Sequence, residues 1–205
     1  MPRVDIEKLK RGDKWVSATG LTHRLRVMID TVLENRMECL VDTLTKANVY
    51  LCDVPRLTES LRTAYPLRTW VDALYVHKSR FHHQIVVSLC DHLPELKPGA
   101  AVTAVRRFDL RDECQDFSFV ELEGGGQGVL YCTDMSEPAQ WTDSPFRGFT
   151  TTTQLRTTIL FERELRKKKY WVVSCRKDNT ELKVNAGDLV HGFVASASNK
   201  GICVR

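Results

Sequence analysis

The sequence lacks the motifs by which many enzymes and membrane proteins are identified. It contains no GxGxxG or GxxxxGK[ST] phosphate loop, no HExxH metal motif and no GxSxG nucleophile motif. No apolar run approaches the ~18 residues of a transmembrane helix. The N-terminal segment also has no apolar core of the kind a signal peptide carries. We therefore expect a soluble intracellular protein, without catalytic residues, a cofactor or a membrane partner.

Paired metal ligands are missing as well. The cysteines stand singly, with no CxxC pair that could begin a zinc site, and several fall inside apolar runs. A reduced, buried thiol is the expected state there. The adjacent His82 and His83 do not suggest a metal site either, because neighbouring residues of a strand point to opposite faces. We expect no bound metal.

What the sequence does contain is an internal repeat. Gly12, Gly99 and Gly187 are 87 and 88 residues apart, and each opens a valine-rich extended stretch. Segment 47–54 aligns without a gap on segment 128–135. A fixed period of this size indicates one domain type used repeatedly. We predict one domain over 1–93, a second over 94–180, and the truncated start of a third over 181–205.

The apolar runs within each repeat are short, rich in valine and aromatic residues, and separated by Gly, Pro and Asp. In the second repeat they predict strands at 101–108, 116–122, 127–134, 153–162 and 169–175. In the first repeat they predict strands at 14–19 with 24–33, 36–42, 47–54, 68–77 and 82–89. The glycines at 124–126 read as a β-turn between strands. The predicted fold class is all-β, with tandem small five-stranded OB-fold barrels and an incomplete third repeat.

Side-chain alternation assigns faces to two strands of the second repeat. Val120 and Leu122 share one side of their strand and suit the barrel core, so Phe117 and Phe119 point outward. In the next strand Tyr131 points outward. We therefore expect Phe119 and Tyr131 on one exposed patch. The alternative is that these rings pack under a loop or against the next domain.

The glycine-led first strand, the FSFV second strand and the GVLYCTDM third strand resemble the S1 domain, an RNA-binding family of OB-folds. The resemblance implies that nucleic acid lies across strands two and three, with the loops joining strands one to two and four to five at its rim. The family's strand-two phenylalanine falls on Phe119, and its strand-three histidine falls on Tyr131. Either ring could stack on a base.

The repeats depart from the family pattern to different degrees. In the second repeat, Asp116 and Phe117 replace an aromatic residue and a glycine. In the first repeat, the aligned positions hold Met37, Glu38 and Leu40, so only Tyr50 remains of the aromatic platform. We therefore expect the first repeat to bind RNA poorly and to act as a spacer or as a protein-binding unit.

Basic residues border the same face of the second repeat. Four consecutive cations occupy the turn between strands four and five and could follow phosphates. The alternative is a solvated hairpin tip whose lysines discourage aggregation. The full set of predicted RNA-binding residues is Phe117, Phe119, Tyr131, Arg106, Arg107, Arg166, Lys167, Lys168, Lys169 and Tyr50.

Among proteins with tandem S1 repeats, the chain looks closest to the large eukaryotic proteins of pre-rRNA processing. That resemblance implies a non-catalytic scaffold in the nucleus and nucleolus, which binds single-stranded or precursor rRNA and contacts other ribosome-assembly proteins. The formal charge of +4 permits an acidic partner without requiring one. Two alternatives remain: a protein-interaction array of degenerate OB-folds, or an accessory RNA-binding module of an RNA-processing enzyme.

Overall fold

The structure is a computed structural model, and it describes most of both predicted repeats. The described residues are 4–12, 25–79, 84–107, 117–136, 146, 148–165, 167–177, 185–189, 194–198 and 201–204. Helical structure is limited in these ranges to three 3₁₀ turns and one short helix: Ile6–Lys8, Leu51–Asp53, Cys132–Asp134 and α1 (Leu61–Ala64). No helix of the described chain is long and apolar enough to cross a bilayer.

The first repeat forms a closed five-stranded barrel. Its strands are β1 (Leu25–Val32), β2 (Arg36–Leu40), β3 (Lys46–Tyr50), β4 (Trp70–Lys78) and β5 (Gln84–Ser88). They are arranged in the order β1-β2-β3-β5-β4, and β4 pairs with β1 to close the barrel. Strands β3 and β5 run parallel, whereas the other neighbours are antiparallel. This is the strand order of an OB-fold.

The second repeat has the same topology. Its strands are β6 (Ala101–Arg106), β7 (Phe117–Leu122), β8 (Gly126–Tyr131), β9 (Gln154–Leu165) and β10 (Lys168–Ser174). They close in the order β6-β7-β8-β10-β9, with β8 and β10 parallel. A separate antiparallel pair follows, formed by β11 (Val194–Ser198) and β12 (Gly201–Val204). The predicted all-β class with tandem OB-like barrels is confirmed, while the domain boundaries at 93 and 180 stay predictions.

Alternation along the strands explains the core of the second barrel. Strand β7 shows half-buried and buried residues in strict turn. Its inward side chains pack against apolar residues of the other strands and against Phe149, since a barrel of this size is filled by its own side chains. The cluster consists of Val102, Ala104, Val120, Leu122, Leu130, Phe149, Ile159 and Val173. Phe117 and Phe119 lie on the outside, as predicted.

The repeated glycines have a shared structural role. Gly12, Gly99 and Gly187 all have positive φ, at +82°, +84° and +97°. The N–H of Gly12 donates to the carbonyl of Tyr75, and that of Gly99 donates to the carbonyl of Ile159, both at 2.8 Å. Gly12 and Gly99 thus bond in the same way to the fourth strand of their barrels, and glycine adopts a positive φ without a steric penalty.

The register of the barrels corrects the sequence alignment of the first repeat. Arg36 pairs with Tyr50 as Phe117 pairs with Tyr131, and Glu38 pairs with Asn48 as Phe119 pairs with Val129. Glu38, and not Leu40, therefore occupies the place of Phe119. The alignment of β2 was displaced by two residues, because a shift of two preserves the side-chain alternation on which it was based.

The two barrels are in direct contact at the end of β3. The 3₁₀ turn Leu51–Asp53 lies against β6 and β7. The Asp53 carboxylate accepts a hydrogen bond from the N–H of Gly124 at 2.8 Å, in the turn between β7 and β8. Val105 of β6 packs into the hydrophobic cluster of the first barrel. The contact thus combines a buried polar bond with apolar packing.

The side chain of Gln154 forms a second connection between the barrels. Its Nε2 donates to the carbonyl oxygens of Leu51 at 2.8 Å and of Val54 at 3.0 Å. Its Oε1 accepts from the N–H of Leu57 at 3.1 Å. One amide therefore satisfies three backbone groups of the first barrel.

Candidate nucleic-acid interface

The outer face of the second barrel gathers aromatic side chains from three neighbouring strands. Phe117 and Phe119 of β7 are in edge contact, with ring centroids 5.3 Å apart. Tyr131 lies 6.0 Å from Phe117, and Tyr170 of β10 lies 5.2 Å from Phe119. The four rings cover Val129 and Val172, which are buried although they point away from the barrel interior. We call Phe117, Phe119, Tyr131 and Tyr170 the aromatic face.

The members of the aromatic face differ in exposure. Phe117 and Phe119 are half-buried, so part of each ring meets solvent. Tyr131 has only 8% of its surface exposed. The expectation that Tyr131 forms an exposed patch with Phe119 is therefore wrong for Tyr131. Its ring is covered by neighbours on the same outer face and has little area left to offer a base.

Arg163 is one of those neighbours, and the sequence interpretation did not single it out. Its Nη1 donates to the Tyr131 hydroxyl at 2.7 Å, and its guanidinium carbon lies 5.8 Å from the centre of the ring. Arg163 is directly opposite Tyr170 in the β9–β10 pairing. A signal was available in the run of residues 163–170, RELRKKKY, which has an arginine at one end and a tyrosine at the other. It was missed because the run was assigned to a turn.

The β9–β10 hairpin carries the predicted run of cations. The strands pair as far as Leu165 and Lys168, so the hairpin extends further than predicted and its turn is short. Lys167, at a φ of +62°, and Lys168 are exposed. Lys169 Nζ contacts Glu162 Oε2 at 2.9 Å. Arg166 lies outside the described residues.

The two arginines at the end of β6 have separate environments. Arg106 Nη1 donates to the carbonyl of Phe149 at 3.1 Å. Arg107 Nε forms an ion pair with Glu121 Oε1 at 3.3 Å. Arg106 pairs with inward Val120 and so lies on the core side of β6, whereas Arg107 contacts outward Glu121. Each arginine is engaged by a protein group that a ligand phosphate must replace or share, and a role of either in RNA binding stays a prediction.

Tyr50 is not part of the aromatic face. It is half-buried and packs against the core of the first barrel, immediately before the turn that contacts the second barrel. Burial, followed by the negative charge of Glu121, raises the pKa of its phenol, while Arg36 and Arg107 act in the opposite direction. The structure thus places Tyr50 beside the contact between the barrels.

The first barrel has a polar surface where the second has its aromatic face. Arg36 and Glu38 of β2 form an ion pair at 3.3 Å. Asn48 Nδ2 donates to Gln84 Oε1 at 3.2 Å, across the parallel pair β3–β5. In the second barrel the position of Asn48 is taken by buried Val129, next to its parallel partner strand β10. Among the described residues of this surface there is no cluster of rings, so they offer no stacking platform. Weak RNA binding by the first repeat stays a prediction.

The chemistry of the described residues adds no metal or nucleophilic site. No group of three or more His, Cys, Asp or Glu side chains that could hold a metal occurs within the described ranges. Burial is the main cause that raises the pKa of the Cys39 and Cys90 thiols to about 12, and that of Cys175 to about 11. These thiols are protonated at neutral pH and are poor nucleophiles. His82 and His83 lie outside the described residues.

Comparison with known proteins adds only distant structural likeness. No protein-family model and no curated protein sequence matches the chain. One similar solved structure is a multidomain protein with nucleic acid binding domains from Streptococcus pneumoniae TIGR4. It is 13% identical, with a TM-score of 0.27, and the match covers 87% of this chain and 57% of that one. The OB-fold assignment therefore rests on the strand order and pairing of this chain.

Proposed function

We propose that the second barrel binds a single-stranded nucleic acid across the outer face of β7 and β8, with the β9–β10 hairpin at its edge. The observation that carries this proposal is the position of the half-exposed rings of Phe117 and Phe119 next to the cationic hairpin. Bases can stack on such rings, and phosphates can approach Lys167 and Lys168. The first barrel holds the second in place, and its described residues contribute no stacking surface.

Two physical terms support this function. A base stacked on an exposed aromatic ring contributes ~1–3 kcal/mol and requires no particular base. Each phosphate neutralised by a lysine or arginine releases condensed counterions, which makes the affinity depend on salt. Rings and cations occur together on the second barrel, whereas on the first barrel an ion pair and an amide pair occupy the equivalent surface.

The resemblance to S1 domains extends the proposal to RNA. On this basis the chain is a non-catalytic scaffold that binds single-stranded or precursor rRNA during pre-rRNA processing and ribosome biogenesis. It works in the nucleolus with other assembly proteins as partners. This part of the proposal depends on the FSFV and GVLYCTDM strands and on the repeat pattern.

The test is fluorescence anisotropy with a labelled oligouridine, using the full chain over ~50 to ~200 mM KCl. Phe119→Ala should weaken binding by ~1–3 kcal/mol, because a stacking surface is lost. Lys168→Gln should lower the salt slope by about one, whereas Lys46→Gln, an exposed strand lysine of the first barrel, should leave the slope unchanged. Thermal unfolding of each variant separates lost binding from lost folding.

A protein partner is the second candidate, and the exposure of Phe161 favours it. Phe161 is 49% exposed on β9, next to the aromatic face. Apolar burial against a protein is not weakened by salt in the way that phosphate binding is. If the wild-type chain binds oligouridine with no salt dependence, or if Phe119→Ala and Lys168→Gln both bind as the wild type does, the nucleic-acid proposal is wrong.

A further inference from the structure

Arg163 is held in an orientation that leaves most of its hydrogen-bonding capacity available. The Tyr131 hydroxyl accepts one N–H from Nη1, and the guanidinium carbon lies 5.8 Å from the centre of the same ring. A guanidinium carries five N–H donors in a planar fork, so other donors can bind a phosphate. Arg163 as a whole is exposed, although its Nη1 contacts the hydroxyl of Tyr131, which is nearly buried.

The charges around Arg163 favour an anion on its side of the hairpin. Glu162 and Glu164 alternate with Arg163 along β9 and therefore point to the opposite side. Lys169 contacts Glu162 on that opposite side at 2.9 Å. The residues that pair across the hairpin on Arg163's own side are Tyr170 with Arg163 and Lys168 with Leu165. That side thus combines two cations with the aromatic face.

Tyr131 cannot serve as the base-stacking residue in this arrangement. Only 8% of it is exposed, with Phe117 packed at 6.0 Å and Arg163 close to the ring. Its hydroxyl, however, forms a short bond to the exposed cation. The position of the phenol therefore affects a ligand through Arg163.

We propose that Arg163 is a phosphate-binding residue of the second barrel and that Tyr131 is its positioning residue, with stacking left to Phe117 and Phe119. The inference rests on the proposed function, because it assigns roles within the same face. The ligand group is a backbone phosphate of a single-stranded nucleic acid. The planar fork binds it through two N–H donors, while Tyr131 fixes the plane of the guanidinium.

The experiment is a double-mutant cycle with Tyr131→Phe, Arg163→Ala and the combined variant, tested on the full chain with labelled oligouridine. Tyr131→Phe keeps the buried ring and removes only the hydroxyl. It should weaken binding about 3- to 10-fold with an unchanged salt slope, since Arg163 then loses orientation and not charge. Arg163→Ala should weaken binding ~10-fold or more and lower the salt slope by about one.

The combined variant decides between positioning and independent roles. If Tyr131 acts through Arg163, the combined variant should bind as weakly as Arg163→Ala and no more weakly. Arg163→Lys should keep the salt slope but resemble Tyr131→Phe in affinity, because a lysine has the charge without the fork. Thermal unfolding checks that all variants fold.

Three results would overturn the inference. Additive losses in the combined variant would show that Tyr131 and Arg163 act independently. A wild-type affinity for Tyr131→Phe would show that the hydroxyl has no role, and an unchanged salt slope for Arg163→Ala would exclude a phosphate contact. Each leaves the proposed function standing if Phe119→Ala still weakens binding. Failure of the wild-type chain to bind any oligonucleotide would overturn the proposed function and this inference together.

Discussion

Asp53 has none of its surface exposed, and it lies where the two barrels meet. Its carboxylate accepts the N–H of Gly124, and the Cys52 thiol lies beside it at 3.8 Å. Burial raises the pKa of Asp53 to about 7, the Gly124 N–H acts against that change, and the nearby charge of Glu123 adds to it. The folded protein therefore binds a proton at this carboxyl far more tightly than the unfolded chain does.

This difference makes the stability of the chain depend on pH near neutrality. The stabilisation is fully present below the unfolded pKa, at about 4, and is lost as the pH rises through about 7. We expect the free energy of unfolding to fall by ~3 kcal/mol between pH ~5 and ~8, from this group alone. Urea unfolding at both pH values measures it.

The matched variant for this prediction is Asp53→Asn, which keeps an acceptor for Gly124 and cannot ionise. Its free energy of unfolding should vary less with pH than that of the wild type, and the gap between the two should grow from pH ~4 to pH ~7 and stay constant above that. Equal pH dependence of the two proteins would show that Asp53 does not titrate in this range.

At the scale of single elements, the strands follow the apolar pattern of the sequence closely. Strand β7 was predicted at 116–122 and spans Phe117–Leu122, and β10 was predicted at 169–175 and spans Lys168–Ser174. Larger differences occur at the end of β3, which was predicted to reach 54 and ends at Tyr50, and at the end of β9, which was predicted to stop at 162 and continues to Leu165 through charged residues. Cross-strand pairs such as Arg163 with Tyr170 support the extension. The pattern of apolar residues along one strand does not show which residues pair across neighbouring strands.

The turn between β7 and β8 illustrates how an element is adapted to its neighbour. Gly124 and Gly125 have φ of +78° and +83°, as a tight hairpin turn requires. A Cβ on Gly125 would lie 2.6 Å from Val76 Cγ1 and 2.8 Å from His77 Cδ2, both in the first barrel. The glycine is needed for its backbone conformation and also for the space between barrels.

We therefore expect Gly125→Ala to destabilise the chain more than Gly99→Ala does. Gly99 has nearly the same φ, +84°, but no atom lies within 4 Å of its missing Cβ. Both variants lose ~1–2 kcal/mol through the left-handed backbone. Gly125→Ala should lose at least ~1 kcal/mol more through overpacking against Val76. Urea unfolding compares them, and equal losses would mean that the turn does not contact the first barrel.

At the scale of the whole molecule, the two barrels are coupled by specific contacts. The amide of Gln154 alone bonds three backbone groups of the first barrel, and Val105 enters its core. The first barrel thus contacts β6 and β9, which pair with β7 and β10 of the aromatic face. This gives a degenerate repeat a structural role even where its own surface is polar.

Gln154→Ala should uncouple the barrels. The loss of three hydrogen bonds, at about 1 kcal/mol each, predicts a destabilisation of ~1–3 kcal/mol and less cooperative unfolding of the two barrels. Differential scanning calorimetry measures both effects. Gln127→Ala, on β8 of the second barrel, is the matched control and should change neither. If the two variants behave alike, Gln154 does not couple the barrels, and the Asp53–Gly124 bond and the packing of Val105 hold them together.

The sequence by itself determined the repeat, the strands and the faces to which their side chains point. Glycine spacing and apolar alternation are properties of the sequence, so they can be recognised without knowing how the strands pack. The tertiary structure decided which outward residues remain accessible. Tyr131 is covered by Arg163, Tyr50 lies beside the second barrel, and Asp53 is buried by a turn 71 residues away. Contacts over such separations depend on how closed barrels pack together, and no periodicity within one strand encodes that packing.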